Sequence, residues 1–464
     1  MGQGMSDSPF FLLLLAGAAI GVLVALVTWR KLNPFLALLI AAMMVGTGAG
    51  LAPLAALKAF QDGVGATLGG IAAVIGLGAM LGRLLAESGG ATVLAAAFSR
   101  FFGPSRAVAC IIALAIVVGL VTWFTVGLLL LIPIAVSLSR ETKRPFLLLA
   151  LPLVAFLSVM HGLTPPHPGP VVAIAALGAN NGLVIALALV LGGLAAAAGG
   201  PLFARWVTPR IRLGSASPPS QAAAGAGGVH RSDTPQQVAA APRRPSARQT
   251  FVVASFPVIL MLLATVGELL FPVGDRARVG LAFLGHPVVA LALGVFLALG
   301  VFGRACRFGR AQLLAFTEQS IAGIGMTLLV VGAGGGFARV LLEAGVARAL
   351  GSLAAELQLP PLLYAWLIAA FVRVATGSAT VAITTAAGLL SPVLAAHPEV
   401  SRELLVLALG FGSLVLSHLN DGGFWIVKDC LGLTVGQTLR TWTVTETIIG
   451  VVGLGLVLLL GSVM

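Results

Sequence analysis

The chain has 464 residues, of which 59% are hydrophobic and only 9% are charged, and its mean hydropathy is +1.07. A soluble globular chain has roughly 25% charged residues, so this composition excludes ordinary aqueous enzymes and disordered scaffolds. The net charge of +12 comes mainly from arginines dispersed between apolar runs, which is typical of membrane loops. The three cysteines lie far apart, without disulfide or metal-ligand spacing. We therefore expect a polytopic membrane protein that sits in the lipid bilayer and binds neither nucleic acid nor metal.

Apolar runs long enough to cross a bilayer recur along the chain. Two of them, 107–139 and 361–396, are long enough for two segments each. The runs predict an all-α polytopic membrane protein with about 12–14 transmembrane segments, partial crossings included. They lie near residues 10–29, 34–52, 66–86, 107–139, 146–163, 183–204, 251–271, 281–302, 320–340, 361–396, 404–418 and 446–463.

Residues 205–250 interrupt this pattern with seven arginines and a single acid, Asp233, among Pro, Ala, Gly and Ser. Such a composition cannot bury a core and is typical of a linker. The linker divides the chain into a first transmembrane half, 1–204, and a second, 251–464. By the positive-inside rule the linker is cytoplasmic, and the alternation of crossings then places the N-terminus outside.

The two halves contain related strings. Residues 78–91 (GAMLGRLLAESGGA) and 334–347 (GGGFARVLLEAGVA) share an arginine and a glutamate at the same spacing, which is informative because charged residues are scarce. Four pairs of positions match at displacements of 255 to 257 residues: Arg83 with Arg339, Glu87 with Glu343, Thr125 with Thr380, and His161 with His418. We therefore expect a duplicated unit. Counting crossings from the basic loops predicts that the two copies are inverted, as in secondary transporters whose substrate sites lie between broken helices or re-entrant hairpins.

Some of the matched residues fit a structural role. The arginine and glutamate of each string are four positions apart, so each pair is expected to form an ion pair along one helix face. The spacings Gly78-x-x-x-Gly82 and Gly332-x-x-x-Gly336 permit close contact between helices.

Residues 161–170, HGLTPPHPGP, follow an apolar helix and contain four prolines. Proline cannot continue a helix, and irregular backbone at membrane depth persists only where it is buried or lines a watery cavity. We therefore interpret this segment as a hairpin tip that presents His161, Thr164 and His167 to a substrate. The alternative is a tight external loop with incidental histidines.

The corresponding segment of the second half is 417–423, SHLNDGG. Asn420 and Asp421 favour a turn, and an acid next to an apolar segment is a functional candidate by default. His418 lies in the same turn, and Lys428 is a candidate charge partner for Asp421. The alternative is a helix-ending turn with an exposed carboxylate.

Arg373 interrupts an otherwise apolar run, which costs roughly 2.5–3.5 kcal/mol at a helix centre. A buried acid, backbone carbonyls or an anionic ligand should offset that cost. A half-helix that begins just after the arginine would direct its N–H groups at an anion. The predicted carboxylate site consists of Arg373, Thr376, Gly377, Ser378 and Thr380, with Thr125 as the first-half counterpart of Thr380. The alternative is that Arg373 reaches the cytoplasmic interface and the small residues only pack helices.

With these motifs assembled, the sequence resembles the gluconate permease family of bacterial inner-membrane symporters. The matching strings are HGLTPPHPGP (161–170), VGAGGGF (331–337), GSATVA (377–382), SHLNDGGFW (417–425) and VGQTLRTWTVTETIIGVVGL (435–454). The resemblance implies uptake of gluconate or a related sugar acid with protons, on an ion-transporter-superfamily scaffold of inverted repeats with re-entrant hairpins. Related members carry other small carboxylates, including D-serine. Members typically have an acid just before the Val-Gly of the first broken segment, where this chain has Thr125.

The leading hypothesis is a proton-coupled importer of a small hydroxylated monocarboxylate, which is not an enzyme and uses no cofactor besides protons. Arg373, Ser378 and Thr380 would hold the carboxylate. The other candidates would bind hydroxyls or relay protons: Thr125, Thr164, Thr376, Gly377 and Asn420 for the substrate, and His161, His167, His418 and Asp421 for protons.

A passive channel on the same scaffold is the main alternative, because a pore uses similar broken helices. A membrane-embedded hydrolase would need a Ser or Cys nucleophile motif, and none accompanies the histidines. The sequence leaves the particular sugar acid, the stoichiometry and the oligomeric state open, a homo-oligomer included.

Overall fold

The computed structural model describes residues 8–211, 243–346, 349, 359–418 and 421–463. Within these ranges the regular secondary structure is helical, and no strand is present. The predicted all-α class is confirmed.

Between residues 8 and 211 the structure shows the following helices, several of which begin at a proline, where the missing N–H costs nothing. They are α1 (Pro9–Thr28), α2 (Pro34–Gly48), α3 (Pro53–Glu87), α4 (Gly90–Phe102), α5 (Ala107–Gly119), α6 (Phe124–Thr142), α7 (Leu147–Leu163), α8 (Pro168–Leu177) and α9 (Asn181–Arg210). The second half contains α10 (Ala247–Leu270), α11 (Arg276–Gly285), α12 (Pro287–Cys306), α13 (Arg310–Glu343), α14 (Pro361–Thr376), α15 (Ala379–Ala396), α16 (Arg402–Leu414), α17 (Gly422–Leu431) and α18 (Val435–Gly461).

Many of these helices are long and apolar enough to span a membrane. Among the described residues eight qualify by length and composition, and two bent helix pairs raise the number to ten. Three further apolar helices are shorter, and two of them are α14 and α15, which lie on either side of Gly377. Some of the segments predicted from the sequence are therefore full-length spans, and others are shorter helices. The protein is a multi-pass membrane protein with broken helices.

The order of helices repeats between the halves. Helices α14 to α18 begin 254 or 255 residues after α5 to α9, respectively, and in both series two interrupted helix pairs follow one another: α5/α6 and α7/α8 in the first half, α14/α15 and α16/α17 in the second. The predicted hairpin tip at residues 161–170 is wrong, because α7 and α8 together form one broken span, Leu147–Leu177, without a sharp bend. The runs 107–139 and 361–396 each contain two helices, as predicted. This shared order supports the predicted duplication, whereas the inversion of the two copies stays a prediction.

The halves are joined along α3 and α13, which pack against each other closely. A Cβ atom on Gly63 would lie 2.6 Å from the Gly335 carbonyl oxygen, and one on Gly336 would lie 2.7 Å from the Phe60 ring. Only glycine fits such an approach of two helices. The predicted close contact at Gly336 is therefore confirmed.

The helix after the second break of each half also packs against the other half. Helix α8 lies on α15, and α17 lies on α6. Two glycines on α3 allow the breaks of the first half to pack closely against this helix. A Cβ on Gly78 would lie 2.9 Å from Pro166, and one on Gly82 would lie 2.7 Å from the Val121 carbonyl oxygen. This reciprocal packing brings the ends of α14 and α16 close to the starts of α6, α15 and α17.

The helices extend into the segment that the sequence assigned to the linker. Helix α9 continues to Arg210, whose guanidinium lies 4.2 Å from the Trp206 ring centroid, and α10 begins at Ala247 after a capping box of Ser246 and Gln249. The predicted boundaries at 204 and 250 therefore fall within helices, because Trp206 and Val207 extend the apolar run. The central part of the linker, residues 212–242, lies outside the described residues.

Candidate functional site

The interrupted segments meet at one cavity of about 350 Å³. Its wall includes the first residues of three helices: Phe124 of α6, Ala379 of α15 and Gly422 of α17. Helix N-termini carry unpaired N–H groups and a positive dipole end, so three of them together favour an anion. The cavity also collects seven of the residues predicted from the sequence: Thr125, His161, Arg373, Gly377, Ser378, Thr380 and Asp421.

Arg373 lies in the last turn of α14, and its side chain is only 4% exposed. Helix α14 ends just beyond it because Gly377 adopts a φ of +70° and donates its N–H to the Arg373 carbonyl oxygen at 2.9 Å. The Arg373 Nη2 atom lies 2.5 Å from Asp421 Oδ2, whereas its Nε has no hydrogen-bond partner among the described residues. The alternative in which Arg373 reaches an aqueous interface is therefore wrong, and the guanidinium retains a buried donor for a ligand.

Asp421 is the N-cap of α17 and lies in a dense polar network. Its Oδ1 accepts a hydrogen bond from the Gly423 N–H at 2.7 Å, and its Oδ2 accepts from the Ser417 hydroxyl as well as from Arg373. Ser417 in turn accepts from the indole N–H of Trp442 at 2.7 Å. The Asp421 side chain is 13% exposed, so the alternative of an exposed turn is wrong.

The predicted pairing of Asp421 with Lys428 is also wrong. The Lys428 ammonium lies 2.7 Å from the carboxylate of its neighbour Asp429. Lys428 lies seven residues along the chain from Asp421, about two helical turns and roughly 10 Å away. The charge partner of Asp421 comes instead from α14, which the sequence separates from it by 48 residues.

Hydroxyl groups line the cavity beside the guanidinium. Ser378 caps α15, where its Oγ accepts a hydrogen bond from the Val381 N–H at 3.3 Å, and Thr380 follows in the first turn. Thr125 lies at the second residue of α6 and faces the same cavity. The predicted correspondence of Thr125 and Thr380 therefore places both residues on the wall of one site.

Three predicted residues are not among those that line this cavity. Thr164 is fully buried, and its hydroxyl donates to the Met160 carbonyl oxygen at 2.6 Å, so it closes the end of α7 and does not face a substrate. His167 is buried behind the cavity, and His418 lies in the turn before Asp421. The side chain of Thr376 and all of Asn420 lie outside what the structure describes.

The two histidines beside the break between α7 and α8 stack edge to face, with ring centroids 4.8 Å apart. His161 lines the cavity, and its Nδ1 has no partner in the described part of the chain. His167 contacts two backbone carbonyl oxygens, with Nδ1 2.9 Å from that of Thr164 and Nε2 3.1 Å from that of Thr122. His167 therefore links the break between α7 and α8 to the break between α5 and α6, and the alternative of an external loop with incidental histidines is wrong.

Glu446 is a cavity residue that the sequence analysis missed. It lies on α18, is 1% exposed, and its Oε2 accepts a hydrogen bond from the Ser158 hydroxyl at 2.8 Å. Its Oε1 has no partner within the described ranges. The available signal was an acid next to the 446–463 apolar run, within the string VTET, by the same reasoning that singled out Asp421.

A second cavity of about 260 Å³ adjoins the first and shares Trp123 and Thr125 with it. Arg83 lines this cavity, where it lies 2.8 Å from both Glu87 and Gln319. The predicted ion pairs along α3 and α13 are both confirmed, because Arg339 also lies 2.8 Å from Glu343. We assign a structural role, not a role in substrate binding, to Arg83 and Arg339.

Among the described residues no group of three or more His, Cys, Asp and Glu side chains is arranged to hold a metal ion. The ionisable groups that line the main cavity are instead one base, two acids and one imidazole: Arg373, Asp421, Glu446 and His161. Such a set can bind an organic anion and exchange protons.

Comparisons with known proteins show the family and the fold of the chain. Residues 11–463 match the profile of the family described as GntP family permease. A gluconate permease of Pseudomonas aeruginosa is 41% identical over 99% of this chain and 100% of its own length. The D-serine transporter DsdX of Escherichia coli is 33% identical over 91% of this chain and 92% of its own length. The crystal structure of the Alcanivorax borkumensis YdaH transporter superposes with a TM-score of 0.58 at 17% identity, covering 87% of this chain and 88% of that one.

Proposed function

The chain belongs to the GntP permease family, and from that membership we propose that it imports gluconate or a related small hydroxylated monocarboxylate by proton symport. The membrane is the bacterial inner membrane, with the N-terminus outside and the 205–250 linker in the cytoplasm. The substrate binds in the cavity between the helix breaks, where its carboxylate faces Arg373. The passive channel stays the alternative that transport experiments have to exclude.

The observation that carries this proposal is the burial of the Arg373 guanidinium together with its incomplete hydrogen bonding. It is buried, it lines the cavity, and its Nε–H has no acceptor among the described residues. A buried donor without a partner costs free energy that a bound carboxylate would remove. The first turns of α6, α15 and α17 add N–H groups around the same anion.

The remainder of the wall suits the polyhydroxylated chain of a sugar acid. Thr125, Ser158, Ser378 and Thr380 contribute hydroxyl groups, and aromatic rings supply apolar surface against carbon-bound hydrogens. The rings belong to Trp123, Phe124 and Trp442. A volume of about 350 Å³ is at the lower end of the usual range for small-molecule sites, which favours a compact ligand.

Uptake by right-side-out membrane vesicles tests the function. We expect radiolabelled gluconate to accumulate above its external concentration when the outside is acidic, and an uncoupler to abolish the accumulation. Equilibration without accumulation would favour the passive channel. A competition panel of gluconate, other aldonates, hexuronates, D-serine and short hydroxy acids identifies the substrate, and D-serine is included because a relative is named as its transporter.

A further inference from the structure

We propose that Glu446 carries the coupled proton, because its carboxyl group has to be protonated before a substrate anion can share the cavity with it. This inference rests on the proposed proton symport and assigns that step to a residue outside the predicted proton-coupling set. In each cycle a proton from the outside binds Glu446, the anion binds beside it, and both leave on the inside.

The first argument is that the Glu446 carboxyl group is buried and makes few polar contacts. Glu446 is 1% exposed, and one hydrogen bond from Ser158, at 2.8 Å to Oε2, is the contact that the structure shows for its side chain. Oε1 is buried and has no partner among the described residues. A buried carboxylate without a counter-charge is costly, whereas the neutral acid needs none. A proton on Oε1 would also supply a donor aimed at the ligand.

The second argument is the charge balance of the cavity. The positive charge of Arg373 is already matched by Asp421 at 2.5 Å, so an ionised Glu446 leaves the empty site with one excess negative charge. Adding a monocarboxylate would raise that excess to two in a space of about 350 Å³. If the anion enters together with a proton for Glu446, the excess stays at one. Electrostatic repulsion between the two carboxylates therefore couples anion binding to proton binding.

The third argument concerns Ser158, the hydrogen-bond partner of Glu446. A serine hydroxyl can donate to an ionised carboxylate or accept from a protonated one by rotation of its hydrogen alone. Ser158 lies in the middle of α7, which is buried along most of its length. Glu446 therefore keeps a hydrogen bond in both protonation states without movement of the backbone.

Two other titratable groups near the cavity, Asp421 and His167, are held by hydrogen bonds or polar contacts to the protein. Asp421 accepts hydrogen bonds from Arg373, Ser417 and the Gly423 N–H, all of which stabilise its ionised form. Both ring nitrogens of His167 face backbone carbonyl oxygens, so His167 is tied into the scaffold. His161 also lines the cavity, and a proton on its ring would balance the charge of the anion equally well, so the pH profile of Glu446→Gln has to distinguish the two groups.

The test compares Glu446→Gln with wild-type protein and with Glu399→Gln, a carboxamide change at a side chain that is 68% exposed. Glutamine mimics the protonated carboxyl group but cannot release a proton, so the rate of exchange between gluconate inside preloaded vesicles and labelled gluconate outside should no longer depend on pH. Accumulation driven by a pH gradient should be lost. The gluconate affinity of wild type should fall as pH rises, by up to about tenfold per pH unit once Glu446 is ionised in the empty site, whereas that of Glu446→Gln should stay flat.

Gradient-driven accumulation by Glu446→Gln, or a pH dependence of its affinity equal to wild type, would overturn this inference while leaving the proposed function intact. Wild-type protein that neither binds nor accumulates any acid of the panel would instead reject the proposed function.

Ser158→Ala provides a second test if the glutamine variant fails to reach the membrane. Loss of its hydroxyl removes a donor to the carboxylate, so the pH at which gluconate affinity falls should move upward. An unchanged pH profile would also overturn the inference.

Discussion

Arg373 and Asp421 join the two helix breaks in the second half. Arg373 closes α14, Asp421 opens α17, and their side chains meet 2.5 Å apart with 4% and 13% of their surfaces exposed. The pair therefore connects the break between α14 and α15 to the break between α16 and α17 at the wall of the cavity. It stabilises the fold and at the same time positions the guanidinium for a ligand.

The two roles of Arg373 can be separated by a pair of variants. Arg373→Gln should weaken gluconate binding about ten- to a hundredfold, because a charge-assisted hydrogen bond contributes about 1.5–3 kcal/mol. It should also lower the free energy of unfolding by about 3–5 kcal/mol, because Asp421 loses its counter-charge. Gluconate binding and thermal unfolding in detergent are the two measurements.

The matched control for this pair is Arg373→Gln combined with Asp421→Asn. The double variant buries no unpaired charge, so most of the thermal stability should return while gluconate binding stays weak. Recovery of binding along with stability would show that Arg373 acts only through the fold. Wild-type affinity in the single variant would remove Arg373 from the site.

The contact between α3 and α13 depends on glycine. Gly63→Ala would place a Cβ atom 2.6 Å from the backbone of α13, and overpacking of this kind costs typically about 1–3 kcal/mol. We expect a lower melting temperature and slower gluconate uptake. Gly65→Ala is the control on the same helix, because its Cβ would meet no atom within 4 Å. Equal melting temperatures for the two variants would contradict the close packing.

The hydroxyl of Thr125 is expected to bind a substrate hydroxyl. Thr125→Val keeps the shape and removes the hydroxyl, so gluconate affinity should fall about three- to tenfold, the range for one neutral hydrogen bond. Thr384→Val is a control on α15, where the hydroxyl donates to the Thr380 carbonyl oxygen at 2.7 Å and does not line the cavity. Competition binding with labelled gluconate measures both. Identical affinities in wild type and Thr125→Val would exclude a substrate contact there.

The two histidines beside the break between α7 and α8 are expected to differ in their effects. A neutral imidazole donates one hydrogen bond, so His167→Leu leaves one of the two buried carbonyl oxygens that the ring contacts, those of Thr122 and Thr164, without its donor, at a cost of about 1–3 kcal/mol. His161→Leu removes a ring that lines the cavity, so it should reduce gluconate affinity more than thermal stability. Melting curves with and without gluconate distinguish the two effects. A larger loss of stability in His161→Leu would contradict this assignment.

The positions of the breaks could be predicted because their causes are local. The prolines between His161 and Pro170 stop α7, and Gly377 lets α14 end after Arg373, so both features can be recognised within a few residues of sequence. The small residues that permit the contact between α3 and α13 were recognised in the same way. The need of Arg373 for a buried partner also followed from the cost of placing it in an apolar run.

The partners themselves could not be predicted, because they come from distant helices. Asp421 was paired with Lys428 on the basis of proximity along the chain, whereas the fold brings α14 to it. Thr164 resembled a cavity residue until its hydroxyl was seen to cap its own helix. Glu446 was overlooked although it lies at the start of an apolar run, and its contact with Ser158 depends on the packing of α18 against α7.

The most direct test of this account is an experimental structure with gluconate bound. We expect the gluconate carboxylate within hydrogen-bond distance of the Arg373 guanidinium, between the first turns of α6 and α15, with the carbon chain against Trp123 or Trp442. Gluconate bound in the neighbouring cavity beside Arg83 and Gln319, with no contact to Arg373, would contradict it.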